Sequence, residues 1–117
     1  MAKYQILVAD PISDKGIELL QSEPSFDVVV NLGLKQEADF AAAAAGAHAI
    51  IVRSGVKVTA KVIEAAPNLK AIGRAGVGVD NIDVPAASKR GVVVMNTPGG
   101  NTISTAEQAF TLMMSLA

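Results

Sequence analysis

Ala49-Ile50-Ile51-Val52-Arg53-Ser54-Gly55 decides the fold. Four apolar residues run without a polar break, as in a strand buried on both faces. A cation, a hydroxyl and a glycine follow at once. The same punctuation recurs in both directions. Upstream, Gln5-Ile6-Leu7-Val8-Ala9 reads as a first strand ending at Asp10-Pro11, and Ser13 caps a helix through Leu20 and Gln21. Phe26-Asp27-Val28-Val29-Val30 reads as a second strand, and an alanine-rich helix over 36–45 is stopped by Gly46. Downstream, Thr59 caps a helix that ends before Pro67, and Leu69-Lys70-Ala71-Ile72-Gly73 reads as a fourth strand. Asp83 caps a short helix with Pro85 in its first turn and Gly91 past its end, and Val92-Val93-Val94-Met95 is the fifth strand. Strands that alternate with helices predict an α/β fold. Right-handed crossovers favour a flavodoxin-like, doubly wound five-stranded parallel sheet of order 2-1-3-4-5. A turn-rich link over 96–102 then leads to Ser104-Thr105-Ala106-Glu107, which has capping-box spacing, and to a trailing C-terminal helix through Phe110, Leu112, Met113, Met114 and Leu116. That helix meets no stop signal before Ala117, so a continuation of the chain is expected.

The 117 residues suit one domain, and such a chain can bury roughly two-thirds of its unfolded surface. Half of the residues are hydrophobic, yet there are only three Phe, one Tyr and no Trp. The core must come from Val, Ile, Leu and Ala. A net charge of -1 provides no basic stripe for nucleic acid. The absence of cysteine removes disulfide and thiolate chemistry and fits a cytoplasmic location. No basic-then-apolar leader opens the sequence and no apolar run is long enough for a bilayer, so no membrane role is expected. With His48 as the one histidine, a His-based metal cluster is excluded and no metal site is expected.

In an open α/β sheet, ligands bind beyond the carboxyl ends of the strands. Asp10-Pro11, Arg53-Ser54-Gly55, Arg74-Ala75-Gly76-Val77-Gly78, Asn96-Thr97-Pro98 and the link over 99–102 converge there. Arg53 and Arg74 end neighbouring strands, and a guanidinium is a planar fork of donors suited to carboxylate or phosphate. Gly76 and Gly78 free the backbone for close approach, so consecutive amides could hold an oxyanion. Two readings stand: a site for a small, doubly anionic molecule, or two rim arginines each paired with a local Asp or Glu. The glycine run is a poor dinucleotide fingerprint, because Asn81 replaces the third glycine, the preceding strand is the fourth, and the next helix starts late. His48 precedes the third strand, away from the crevice, and reads as an edge or surface histidine. Asp10 alone would suit a response-regulator receiver. Arg53 stands where a receiver needs its phosphoacceptor, and Asn96 where it needs a lysine, which excludes that class.

Ile51-Val52-Arg53-Ser54, then Lys70-Ala71-Ile72-Gly73-Arg74-Ala75-Gly76-Val77-Gly78-Val79-Asp80-Asn81-Ile82-Asp83, then Gly91-Val92-Val93-Val94-Met95-Asn96-Thr97-Pro98-Gly99-Gly100-Asn101-Thr102 closely resemble the D-isomer-specific 2-hydroxyacid dehydrogenases. The two arginines lean the resemblance to the D-3-phosphoglycerate dehydrogenase branch. It implies a two-domain, NAD-dependent oxidoreductase that converts 3-phosphoglycerate to 3-phosphohydroxypyruvate in serine biosynthesis. On that pattern 1–100 is the substrate-binding domain, and 101–117 is the hinge and first helix of a nucleotide-binding domain. Arg53, Ser54, Arg74, Ala75, Gly76, Val77, Gly78 and Asn101 would touch a small phosphorylated 2-hydroxy or 2-oxo acid. Residues 96–105 would form the hinge, with Thr105 near the cofactor. The family's catalytic Arg, Glu and His fall beyond Ala117. The resemblance thus implies no catalytic residue in these 117, no NAD bound by them alone and no activity in isolation, with a homodimer formed through the C-terminal helix. The alternatives are a sibling hydroxypyruvate/glyoxylate reductase or formate dehydrogenase, and a non-catalytic binding module like the C-terminal-binding-protein corepressors. The arginines favour a phosphorylated substrate over glyoxylate or formate, and no peptide-docking surface is recognisable.

Overall fold

Successive side chains of a strand point to opposite faces, so an unbroken apolar run must be covered on both. The computed structural model describes residues 4–11, 14–22, 24, 26–34, 36–53, 55–75 and 81–97. The elements are β1 (Tyr4–Val8), α1 (Asp14–Gln21), β2 (Phe26–Val30), α2 (Glu37–Ala44), β3 (Ala49–Val52), α3 (Ala60–Glu64), β4 (Ala71–Ala75), α4 (Val84–Lys89) and β5 (Val93–Thr97). All strand pairs are parallel, in the order β2-β1-β3-β4-β5. This is the doubly wound arrangement expected from the sequence.

The alternation along each strand divides the core. Leu7, Ile50, Val52 and Ile72 pack on one face with Phe40 and Ala44 of α2, Val62 and Ile63 of α3, and Ala87 of α4. Ile6, Val8, Ala49, Ile51 and Ala71 face the other way, with Leu20 and Ile17 of α1 and with Phe26. Burying an aliphatic or aromatic side chain of this size contributes roughly 1.5–3 kcal/mol, so these two layers dominate stability. The short helices are fixed at their ends. Thr59 Oγ1 accepts the Val62 N–H at 3.4 Å, and Asp83 Oδ1 accepts the Ala86 N–H at 3.0 Å. Arg90 closes the carboxyl end of α3 by donating to the carbonyls of Ile63, Ala66 and Pro67. Gly91, at φ +69°, then turns the chain into β5.

The sequence misplaced two strand ends, and both bear on function. β4 and β5 are shifted toward the carboxyl edge: each ends two residues later than its apolar stretch, and β4 starts two residues and β5 one residue later than expected. Arg74 pairs with Asn96, and Ala75 with Thr97, inside the ladder. Hydrophobic runs report burial, whereas ladder bonds between backbones accept polar side chains. Arg74 is therefore a strand residue, and Asn96 and Thr97 belong to β5 rather than to the link. Smaller shifts occur elsewhere. β1 starts one residue early, although the Ala9 N–H still bonds the Ile51 carbonyl at 2.9 Å. α2 begins at Glu37, with Gln36 as an extended residue before it. The trailing C-terminal helix, the proposed hinge from Pro98 onward, the homodimer contact and Ser13 lie outside the described residues.

His48 sits at the amino edge of the sheet, remote from the strand ends that gather the arginines. Its Nδ1 accepts the Gln5 N–H at 3.0 Å, and its ring meets Tyr4 edge-on at 5.4 Å. Burial, and then the charge of Lys70, hold its pKa below the ordinary 6.5. As pH falls, the unfolded chain therefore takes up this proton first. The stability carried by neutral His48 is full above about pH 6.5 and is lost as pH drops through 6.5 toward the lowered folded value. Urea unfolding midpoints at about pH 7.5 and about pH 5.5 should show the loss, and His48→Gln should make it smaller. An identical pH slope in the two proteins would remove His48 from the account.

Candidate functional site

Parallel pairing sets Val52 of β3 opposite Arg74 of β4, so Arg53 leaves its strand beside Arg74 at the carboxyl edge. The turn after β3 is held from two sides. On one side, Asp10 follows β1 and is only 6% exposed, the one buried charged residue among those described. Its Oδ2 accepts the N–H of Arg53 at 2.7 Å and of Gly55 at 3.1 Å. On the other side stands Asn81. Its Nδ2 donates to the carbonyls of Arg53 at 2.6 Å and Val56 at 2.8 Å, and its Oδ1 accepts from Arg74 Nε at 2.6 Å. The Asn81 backbone is itself fixed by a parallel bridge, in which Val58 N–H reaches Asn81 O at 2.8 Å and Asp83 N–H reaches Val58 O at 2.9 Å.

The consequence is a preorganised pair of cations. The backbone of Arg53 is tied down on both sides, while its side chain is exposed and its guanidinium has no partner among the described residues. Arg74 is half-buried and oriented through Nε. Donors of one sign side by side at a sheet edge can receive a small anion.

The family description "D-isomer specific 2-hydroxyacid dehydrogenase, catalytic domain" matches residues 6–112. The chain belongs to this family. This chain is 52% identical over 113 residues to the D-3-phosphoglycerate dehydrogenase of Archaeoglobus fulgidus, covering 97% of this chain and 21% of that one. It is 50% identical over 117 residues to the D-3-phosphoglycerate dehydrogenase of Synechocystis sp., covering 100% of this chain and 20% of that one. Among solved structures, the NAD+-bound 3-phosphoglycerate dehydrogenase of Entamoeba histolytica superposes with a TM-score of 0.74 at 35% identity, over 84% of this chain and 34% of that one. The chain thus spans about a fifth of the length of these curated relatives.

Of the residues singled out in the dehydrogenase sequence, Arg53 and Arg74 come together at one edge, and the Ala75 backbone continues β4 beside them. Ser54, Gly76, Val77, Gly78, Asn101 and Thr105 lie outside the described residues. The sequence missed what Asp10 and Asn81 do. From sequence, Asp10 is a residue that follows a strand, and Asn81 stands where a third glycine is missing. A short polar residue two positions before the helix-capping Asp83 was the available signal. Among the described residues no group of three His, Asp or Glu could hold a metal ion. The amino end of α4 does not fit a dinucleotide pyrophosphate. The Asp83 carboxylate already occupies the first turn, and both side-chain N–H donors of Asn81 are in use.

Gly55 has a steric reason. A Cβ there would lie 2.4 Å from Asp10 Oδ1, and that carboxylate is short, buried and already bonded to the turn, so it cannot swing away cheaply. Gly55→Ala should destabilise the protein by about 1–3 kcal/mol in urea titrations. Wild-type stability in that variant would show that the turn is not anchored on Asp10.

Proposed function

We propose that the chain is the substrate-binding part of an NAD-dependent D-3-phosphoglycerate dehydrogenase, acting in serine biosynthesis, which oxidises 3-phosphoglycerate to 3-phosphohydroxypyruvate. The observation that carries this reading is the pair of arginines on neighbouring strand ends, one with an unengaged guanidinium and the other braced by an amide. 3-Phosphoglycerate carries a carboxylate and a phosphate, one anion for each arginine. The names of the relatives point to the same substrate.

Oxidising a secondary alcohol needs a hydride acceptor, a base for the hydroxyl proton, and a hold on the substrate that fixes its geometry. This chain's residues supply the hold. Arg53 and Arg74 neutralise the two anionic groups, and the ties from Asp10 and Asn81 hold the Arg53 backbone and Arg74 Nε in place. The cofactor's binding groups and the proton acceptor belong to further parts of a longer protein, so the 117 residues alone give no turnover. No helix among the described residues is long and apolar enough to cross a membrane, and the reading places the enzyme in the cytoplasm.

In the full-length dehydrogenase, Arg53→Ala and Arg74→Ala should each raise KM for 3-phosphoglycerate by about tenfold or more, since a lost charged contact costs about 1.5–3 kcal/mol. The KM for NAD should stay within about twofold. Small and equal effects on both ligands would make these arginines ordinary rim residues and remove the basis of the assignment.

A further inference from the structure

A carboxamide has one acceptor oxygen and two N–H donors. The Asn81 side chain uses all of them, between the turn after β3 and Arg74 of β4. The oxygen takes Arg74 Nε, while the nitrogen holds both ends of the short turn that carries Arg53, through the carbonyls of Arg53 and Val56. Neither the Arg53 guanidinium nor the Nη edge of Arg74 is engaged by this amide, which grips one arginine by its backbone and the other by Nε. The Asn81 backbone is anchored to Val58, so the amide is held in place and does not follow its partners. A carboxylate here would lose both donors and face two carbonyl oxygens, and an aliphatic residue would release both the turn and Arg74.

We propose that Asn81 is a positioning residue that fixes the Arg53 backbone and Arg74 Nε relative to each other, so that the two arginines bind a dianionic 2-hydroxy acid as one unit. The proposal rests on the reading of those arginines as substrate ligands. Asn81 touches no substrate and acts through them. It differs from a residue that merely shapes a turn. A turn-former lost would lower stability and weaken every ligand alike, whereas loss of Asn81 falls on the ligand that bridges the arginines. It also differs from Asp10, which holds only the N–H side of the Arg53 turn and makes no bond to Arg74 among those described.

The test is a mutant cycle in the full-length dehydrogenase. KM for 3-phosphoglycerate and for NAD are measured for Asn81→Ala alone, for the Arg53→Ala/Arg74→Ala protein, and for the triple variant, with a melting curve for each. Asn81→Ala should raise KM for 3-phosphoglycerate by about tenfold and leave the KM for NAD unchanged. In the background lacking both arginines its effect should shrink to about twofold or less, because a residue that acts through two others is silent without them. An equal fold-rise in both backgrounds, an unchanged KM in the single variant, or parallel rises for substrate and NAD would each overturn the proposal. If Asn81→Ala does not fold, Asn81→Ser, whose hydroxyl with a water replaces part of the amide, carries the same expectations at smaller amplitude. Arginine variants that leave the substrate KM where it was would refute the substrate-ligand reading itself, a result distinct from additive effects, which would refute only the role of Asn81.

Discussion

Val52 lies opposite Arg74 in the parallel β3–β4 ladder, and that register governs what the carboxyl edge of the sheet can offer. Backbone bonds fix the pairing, and Ile50 and Ile72 in one layer and Ile51 in the other hold it, because a shift of one residue would exchange side chains of different volume between the two packed layers. With the register locked, Arg53 must emerge next to Arg74. Two like charges brought together at a rim gain nothing from each other. Their juxtaposition is what the proposed anion site rests on.

Two groups, one anionic and one neutral, frame the arginines. Asp10 puts a buried negative charge behind the β3 turn and has its demand for hydrogen bonds met by backbone N–H groups. Neither of those bonds uses a guanidinium, so the arginine forks are not spent on it. Asn81 adds no charge, yet it ties the turn after β3 to Arg74 of β4. The division of labour is economical: acid and amide take the backbone and Nε, while the side chain of Arg53 stays open.

Much of this was legible in the sequence. The β2 and β3 boundaries, the caps at Thr59 and Asp83, and the strand order follow from short apolar runs, capping residues and the handedness of crossovers. Those are local or topological rules. The extensions of β4 and β5 were hidden because Arg74, Asn96 and Thr97 are polar, and hydrophobic patterning cannot see a ladder that continues past the core. The roles of Asp10 and Asn81 were hidden for a different reason. Their bonds span 43 and 28 residues of chain, and no spacing rule connects such positions before the loops are placed. The glycine stretch illustrates the risk of motif reading. Its resemblance to a nucleotide fingerprint ends at Asn81, the residue that turns out to organise the arginines.

The most direct measurement is a structure of the full-length protein with 3-phosphoglycerate bound. The account predicts one anionic group of the ligand within hydrogen-bond distance of the Arg53 guanidinium and the other within reach of Arg74, with the Asp10 and Asn81 bonds intact. A ligand that binds elsewhere, or that leaves both guanidinia uncontacted, would contradict the account.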